Sequence, residues 1–375
     1  MRASSFRFRP LLAALAALFS CNITLAIEPE SVGRETLATP TPTWVVVHGA
    51  TGPGYIFDAD DGEMQGMLSL SGYTPAIATN LQRGEIYAAE SFYSRASRGD
   101  RADVLTIYDV ENLNPVAEVE IPQKIAALPF AHYIALLDDD RHVAIYNLTP
   151  AASVSIVDVV DREFVTELST PGCALMLAVS ERGFLQICGD GTLQLIRLNR
   201  NGDEAQRIRS DKFFEITEDP VFDKAIATPA GWLLMSYAGE VFEVSVDGDN
   251  ISISEGWSMA NAEEQAAGWV PGGGQFLAYH NDTDLLFVLA NPGGEFAHDN
   301  PGTEVWIFQR SSQRRIGRLP IEHMGTNILV SQGSPALLSI TGVDSQLHVY
   351  DVGTLKLVRS IAEIGPAPGL LQPLQ

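Results

Sequence analysis

The sequence is short of cysteine, of basic residues and of long apolar runs. Of its 3 cysteines only Cys173 and Cys188 lie outside the N-terminal segment, which leaves room for a single internal bridge. After the N-terminal segment no run of about 18 or more apolar residues occurs, so no membrane-spanning helix is predicted. Lys and Arg number 24 against 47 for Asp and Glu, a formal net charge of −23 that argues against nucleic acid as a partner.

Motifs of the common enzyme classes are also missing. The chain has no Gly-x-Ser-x-Gly elbow, no Gly-rich phosphate loop and no pair among its 7 histidines at metal-ligand spacing. Asp138, Asp139 and Asp140 form a carboxylate cluster that either binds calcium or makes a solvated turn between strands, and the turn is favoured. We therefore predict no catalytic residue, no cofactor and no metal in this chain, whose chemistry a partner would supply.

Residues 1–26 have the layout of a secretory signal. Three arginines precede an apolar run over residues 11–19, and Ala26 ends a tolerable cleavage site. Cleavage near Ala26 removes the three arginines and takes the formal net charge from −23 to −26. A lipid anchor at Cys21 is the less favoured alternative. The remaining acidity serves either solubility alone or attraction of a positively charged partner.

Residues 171–210 read as one complete unit of four antiparallel strands. Apolar runs at 173–179, 184–188 and 192–198 are separated by short polar turns, and the polar stretch 204–210 is predicted to be a solvent-facing outer strand. A meander of about 40 residues cannot bury both of its faces alone, so such units must stack. The unit predicts one blade of a β-propeller.

Cys173 and Cys188 lie symmetrically about the first turn of this unit. This placement sets them opposite each other on adjacent antiparallel strands, at a separation that a disulfide can bridge. Two buried free thiols are the alternative. Because the signal sends the chain to an oxidising compartment, we predict the disulfide.

A repeated pattern extends over most of the chain. An aliphatic-aromatic-Asp corner, a polar turn and an alternating strand recur at 56–70, 107–121, 156–170 and 349–363, with weaker copies at 195–208, 243–256 and 307–321. These 7 copies predict an all-β fold, a seven-bladed β-propeller of four-stranded antiparallel blades over residues 44–375. Residues 27–43, which contain three prolines, are predicted to form an extended N-terminal arm. The first unit has too few strands, so closure is expected to borrow one from the other terminus.

Aspartates recur at the predicted strand-end corners. Asp58, Asp109, Asp158 and Asp351 are expected to cap backbone amides there.

Two segments interrupt the repeats. The first, 89–104, concentrates Arg95, Arg98 and Arg101 beside Phe92 and Tyr93 in an otherwise acidic protein, and these residue types are enriched at protein interfaces. We predict a docking surface at these five residues, with a solvated insertion as the alternative. The second, 256–280, contains a short helix around 261–267 and Gly-rich turns typical of a connection between blades.

Several dispersed pieces carry a resemblance to a known family. They are SRASRGDRAD at 94–103, Gly172-Cys173 with ICGDG at 187–191, EDPVF at 218–222, GWS at 256–258, WVPGG at 269–273 followed by Tyr279-His280, and EVWI at 304–307. Together they resemble the heavy chain of the tryptophan tryptophylquinone amine dehydrogenases. The similarity is greater to the aromatic (aralkyl) amine branch than to the methylamine branch.

The resemblance implies a periplasmic subunit that assembles as two heavy and two light chains. Tryptophan tryptophylquinone and the catalytic Asp belong to the light chain, primary amines are the substrates, and electrons pass to a small blue-copper protein. Tyr73, in the Gly-rich stretch after the first unit, occupies the place of an aromatic that lines the substrate channel. The alternative is a stand-alone exported propeller that acts as a binding module or a lactonase-like hydrolase.

Overall fold

A computed structural model describes residues 36–50, 52–74, 76–124, 126, 129–294 and 296–375. The predicted signal, its cleavage site near Ala26 and the alternative anchor Cys21 lie outside these residues. The strands of the first half are β1 Trp44–Gly49, β2 Gly54–Asp58, β3 Met64–Leu68, β4 Ile77–Asn80, β5 Glu85–Arg95, β6 Arg98–Asp109, β7 Pro115–Glu120, β8 Ile134–Leu136, β9 His142–Asn147, β10 Ser153–Asp158, β11 Glu163–Ser169, β12 Cys173–Val179, β13 Gly183–Cys188, β14 Leu193–Leu198 and β15 Glu204–Arg209.

The second half is also built mainly from strands. They are β16 Ile226–Thr228, β17 Gly231–Met235, β18 Glu240–Asp247, β19 Asn250–Ile253, β20 Trp257–Ser258, β21 Val270–Pro271, β22 Leu277–His280, β23 Leu285–Asn291, β24 Gly302–Gln309, β25 Arg314–Val330, β26 Leu337–Gly342, β27 Leu347–Asp351, β28 Lys356–Ile361 and β29 Pro368–Pro373. One α-helix, α1 Ala262–Ala266, and three short 3₁₀ turns, Ala131–Tyr133, Ala297–Asp299 and Arg310–Ser312, complete the elements seen in the described residues. No helix among these residues is long and apolar enough to cross a membrane.

The strands form a propeller of four-stranded antiparallel blades. Sheets β4 to β7, β8 to β11 and β12 to β15 are simple meanders, as is β16 to β19, which carries β20 at the side of β18. A further blade has the order β29-β1-β2-β3, and the last sheet contains the eight strands β21 to β28. The pairing of β1 with β29 joins the two ends of the chain, which confirms the expectation that closure borrows a strand from the other terminus.

The innermost strands surround a central axis. β4 lies beside β8, β8 beside β12, and β25 beside β29. Gln372 of β29 bonds both the amide N–H and the carbonyl oxygen of Ile77 on β4. Each meander starts at its innermost strand, and all innermost strands begin at the same end of the propeller. The connections between second and third strands also lie at this end, which we call the hairpin face. The opposite end, which holds the turns between third and fourth strands, is the corner face.

Burial differs between the strands of a blade and explains the repeated pattern: in the sheet β8 to β11 the two middle strands are completely buried, the innermost strand is partly buried and the outermost strand is the most exposed. Every residue of the third strand β10 of its sheet is buried, whereas the outermost strand β15 alternates between exposed and half-buried positions. The apolar core lies between neighbouring sheets, as where Leu105 and Ile107 of β6 join Val143 and Ile145 of β9 in one cluster. The repeats are therefore the third and fourth strands of the blades.

The corner aspartates cap turns as expected. Asp58 accepts a hydrogen bond from the amide of Asp60 at 2.9 Å, and Asp351 accepts one from Thr354 at 2.7 Å. Asp109 and Asp158 do the same for the amides of Asn112 and Val160, at 2.8 and 2.9 Å. This confirms the prediction that the repeated carboxylate caps backbone amides at the strand-end corners.

The unit predicted at 171–210 is a complete blade, β12 to β15. Cys173 pairs with Cys188 in the ladder, their Cα atoms are 4.0 Å apart, and the two sulfurs form a disulfide. The predicted bridge is therefore confirmed. It closes the hairpin-face end of β12 and β13.

The second segment, 256–280, connects β19 to β22 as expected. The side chain of Asn261 accepts hydrogen bonds from the amides of Glu263 and Glu264, and the carboxylate of Glu264 accepts one from the amide of Asn261, which completes a capping box at the start of α1. Glu264 also accepts from the guanidinium of Arg315 at 2.9 Å, and Arg315 stacks on Trp306 with 4.3 Å to the ring centre. These contacts fasten the connection to β25.

The described part of the N-terminal arm lies on the first two blades. The amide of Leu37 donates to the carbonyl of Glu111 at 2.7 Å, and the Leu37 side chain packs against the apolar cluster that contains Trp44. The hydroxyl of Thr43 donates to Asp58 at 2.6 Å.

Candidate functional site

A long hairpin projects from the hairpin face where residues 89–104 were predicted to interrupt the repeats. β5 and β6 are paired along this stretch, with Ser91 opposite Asp103 and Tyr93 opposite Arg101, and after a shift of register between Tyr93 and Arg95 they reach a tight turn at Ala96 and Ser97. The segment is therefore an extension of two strands rather than an irregular insertion. The ladder supplies partners for the backbone amides and carbonyls that a free loop would leave to solvent.

The three arginines of the hairpin have different surroundings. Arg95 and Arg98 are exposed at the tip, and Phe92 below them is 42% exposed. Arg101 is held at the base, where its Nε and Nη2 donate to Asp103 at 2.6 and 2.8 Å. These hydrogen bonds to Asp103 raise the pKa of Arg101 above its ordinary value. The tip is thus available to a partner, while Arg101 belongs to the internal structure of the hairpin.

Tyr73 lies next to this hairpin. It is half-buried in the connection between β3 and β4, and its ring meets the ring of Tyr93 edge-on, with 5.6 Å between the centres. Two sequence predictions that were made separately, the channel aromatic and the arginine-rich segment, therefore concern one place on the molecule.

A buried ionic cluster that the sequence reasoning missed lies beneath Tyr73. Glu90 is completely buried, and it accepts hydrogen bonds from the amide of Ser71 at 2.6 Å and from the hydroxyl of Tyr108 at 2.9 Å. Lys124 is 1% exposed, and its Nζ donates to the carbonyl oxygen of Tyr73 at 3.2 Å. Burial lowers the pKa of Lys124 to about 8, partly offset by the charges of Asp103 and Glu90.

Asp103 connects this cluster to the hairpin. It is 4% exposed, and its Oδ1 accepts from the hydroxyl of Ser91 at 2.5 Å and from the amide of Lys124 at 3.4 Å. Its two oxygens also hold Arg101. One carboxylate thus joins both strands of the hairpin to the connection that carries Lys124.

Exposed apolar side chains are more frequent at the hairpin face of the propeller than at the corner face. Six of the large exposed apolar residues found in the described part of the chain belong to hairpin-face connections or to the strand ends beside them: Phe92, Leu148, Ile216, Phe296, Met324 and Val343. Phe296 is 80% exposed. Of the others, only Val160 lies in a corner-face turn, and the rest are on outermost strands. These six residues, which we call the apolar rim, distinguish the hairpin face from the corner face.

The axis holds a cavity of about 330 Å³ that sequence reasoning also missed. Apolar residues of the innermost strands, such as Ile134 and Leu277, line it together with Asp223 and Lys224. Burial raises the pKa of Asp223 and lowers that of Lys224. The Nζ of Lys224 donates to the carbonyl oxygen of Gly273 at 3.1 Å. Since the residues that line the cavity come from several blades, no local sequence motif identifies it.

The carboxylates at 138–140 form a turn on the corner face. Asp138 accepts from the amides of Glu181 and Arg182 at 2.7 and 2.6 Å, and Asp139 accepts from the ring of His142 at 2.6 Å. Within the residues that the structure describes, no group of three His, Cys, Asp or Glu side chains is arranged to hold a metal ion. The interpretation of this stretch as a turn is therefore favoured by its contacts.

Fold and site together define the class of protein as an all-β propeller with one end specialised by a charged hairpin, a buried ionic cluster and an apolar rim. A family model, described as methylamine dehydrogenase heavy chain, matches residues 44–374. The chain belongs to this family. The predicted resemblance to a quinoprotein amine dehydrogenase heavy chain is confirmed at this level.

Individual relatives agree with the family assignment. The chain is 25% identical over 321 residues to the methylamine dehydrogenase heavy chain of Methylorubrum extorquens, covering 84% of this chain and 77% of that one. It is 26% identical over 324 residues to that of Paracoccus versutus, covering 84% and 75%. Both relatives are named for methylamine, so they do not support the predicted greater similarity to the aromatic amine branch.

Solved structures agree with the fold alone. A dihydro-heme d1 dehydrogenase superposes with a TM-score of 0.58 at 15% identity, covering 90% of this chain and 76% of that chain. A putative 6-phosphogluconolactonase from Bacteroides fragilis gives 0.57 at 11% identity, covering 92% and 99%. At such identities the activities of these proteins say nothing about this chain.

Proposed function

We propose that this chain is the heavy subunit of a periplasmic quinoprotein amine dehydrogenase and that its hairpin face receives the catalytic light subunit. The observation that carries the proposal is the coincidence, at one end of a family member, of the arginine-bearing hairpin, the aromatic Tyr73 and the apolar rim. Aromatic and Arg side chains dominate binding energy at protein interfaces. In the assembly we expect two heavy and two light chains, as the family resemblance implies.

We infer seven blades. The eight-stranded sheet divides within β25, whose first part, from Arg314 to Pro320, pairs with β24 as an outermost strand. Its last part, from Gly325 to Val330, pairs with β26 as the innermost strand of the next blade. With this division, all 7 copies of the repeat become third and fourth strands of separate blades.

We propose a division of labour between the two chains that rests on the family resemblance. A tryptophan tryptophylquinone in the light subunit would supply the oxidising chemistry that converts a primary amine to an aldehyde and ammonia. This chain contributes Tyr73 to the channel wall, excludes water with the apolar rim, and fixes the light subunit with Phe92, Tyr93, Arg95 and Arg98. Arg101 supports the hairpin from within. Electrons then leave for a small blue-copper protein.

The substrate class follows from Tyr73 and from the resemblance to the aralkyl branch. The phenol ring, fixed edge-on against Tyr93, offers an aromatic substrate a face or an edge, a contact worth about 0.5 to 1.5 kcal/mol beyond burial. We therefore propose a preference for arylalkyl amines over short aliphatic ones.

Expression with and without the light chain tests the proposal. The mature chain, produced with residues 1–26 as its export signal, should bind the light chain, and the complex should oxidise phenylethylamine with a dye acceptor. The chain alone should bind no quinone and turn over no amine. Turnover by the isolated chain would instead favour a stand-alone enzyme.

A further inference from the structure

The connection that carries Tyr73 is held at two points by buried charged side chains. The amide of Ser71 donates to Glu90, and the carbonyl oxygen of Tyr73 accepts from Lys124. The hydroxyl of Ser71 adds a bond of 3.0 Å to the hydroxyl of Thr74 within the turn. The backbone on either side of the Tyr73 side chain is thus fixed by Glu90 of β5 and by Lys124 of the connection between β7 and β8.

Packing alone does not require buried charged side chains, whose transfer out of water costs free energy. Lysine and glutamate are almost never fully buried without a partner, and apolar residues of similar volume commonly replace buried ion pairs without loss of stability. Nevertheless, the ammonium of Lys124 is buried with its Nζ aimed at a main-chain oxygen, near two buried carboxylates. A main-chain target fixes the course of the loop, whereas a simple ion pair would fix only the two side chains.

We propose that Lys124 and Glu90 are positioning residues that hold the Tyr73 ring against Tyr93 and thereby set the amine selectivity of the channel. The inference rests on the proposed function, because it requires Tyr73 to line the route to the quinone. Neither residue touches substrate. Each acts through the backbone of residues 71–74.

The same cluster links selectivity to assembly. Asp103 accepts from the amide of Lys124 and also holds Arg101 and Ser91 of the hairpin. A shift of the hairpin on docking therefore reaches the Tyr73 connection through two hydrogen-bonded residues. Light-chain binding should accordingly slow amide exchange at residues 71–74.

We call the hold of Lys124 and Glu90 on residues 71–74 the clamp, and hydrogen exchange on the full mature chain tests it without an activity measurement. In Lys124→Met, which keeps an unbranched side chain but removes the ammonium, amides of the 69–76 segment should exchange at least about tenfold faster. Lys224→Met is the matched control, because Lys224 also donates to a main-chain oxygen on this face but at Gly273. Glu90→Gln is a second variant for the case that Lys124→Met does not fold. Unchanged exchange at 69–76 in a folded variant would overturn the clamp.

Kinetics of the reconstituted complex test the effect on selectivity. Lys124→Met should change the ratio of kcat/KM for phenylethylamine over methylamine in the same direction as Tyr73→Ala, by up to about tenfold. In the Tyr73→Ala background it should change the ratio no further, since the ring it positions is gone. Lys224→Met should leave the ratio unchanged. Equal effects of Lys124→Met with and without Tyr73 would contradict positioning.

The two ideas fail in different ways. If the wild-type complex oxidises no amine, the proposed function is wrong, and the exchange experiment alone judges the clamp. If the complex is active and Tyr73→Ala changes the ratio while Lys124→Met and Glu90→Gln do not, the clamp is wrong and the function stands.

Discussion

Replacing Arg98 at the hairpin tip should weaken assembly with the light chain. Arg98 is exposed, whereas Arg101, three residues away, is held by two charge-assisted hydrogen bonds to Asp103. An Arg that becomes buried at the centre of an interface contributes about 2 kcal/mol or more, and Arg98→Ala should therefore raise the dissociation constant by about thirtyfold. A rim position, worth about 1 kcal/mol or less, would change it by less than about fivefold.

The comparison needs variants that separate docking from folding. Arg101→Ala is unsuitable by itself, because it removes the charged partner of the buried Asp103 and should destabilise the chain by about 1 to 3 kcal/mol. Arg200→Ala is a matched control, since Arg200 is exposed in a corner-face turn. Light-chain affinity is measured by calorimetry or surface plasmon resonance at fixed salt. Equal dissociation constants for wild type, Arg98→Ala and Arg200→Ala would refute docking through the hairpin tip.

Three other perturbations have defined outcomes. Replacing Cys173 and Cys188 by Ser should lower the free energy of unfolding by about 3 kcal/mol, the loop-closure contribution of a bridge of this span, and an unchanged urea midpoint would argue against that role. Tyr73→Ala should alter the kcat/KM ratio of arylalkyl to aliphatic amines by about tenfold if the contact is worth about 1.4 kcal/mol; a lower Tm with the same ratio would assign Tyr73 to packing. Because burial lowers the pKa of Lys124 to about 8 from 10.5, the native chain releases a proton that the unfolded chain keeps, so stability should rise between these pH values. Lys124→Met should reduce that rise, and an identical pH slope in denaturant titrations would show that Lys124 does not cause it.

Local patterns in the sequence were sufficient to predict the blade architecture. The turn between 179 and 183, the Asp190-Gly191 turn and the alternating stretch after 203 each act within one hairpin, so the blade β12 to β15 and its disulfide followed from neighbours in the chain. The corner aspartates followed for the same reason, because each caps amides two or three residues ahead. Strand pairs that are joined by short turns can therefore be predicted from the local sequence.

The hairpin and the ionic cluster were harder to predict. Residues 89–104 were separated from the repeats because their polar composition hides the strand pairing, which depends on matching Ser91 with Asp103 across the turn. The bond between Lys124 and Tyr73 spans 51 positions and joins connections of different blades. A lone Lys in a stretch rich in Pro and Ala carries no signal of burial. Only the closed propeller brings it to the hairpin.

The central claim is that this chain serves as the heavy subunit of an amine dehydrogenase, and purification from the native source tests it most directly. The chain should elute with a small second chain that shows a quinone absorption band, and the complex should reduce a dye acceptor only when a primary amine is present. After separation, the heavy chain should retain neither the band nor the activity. Elution of this chain alone, or amine turnover by it after separation, would contradict the account.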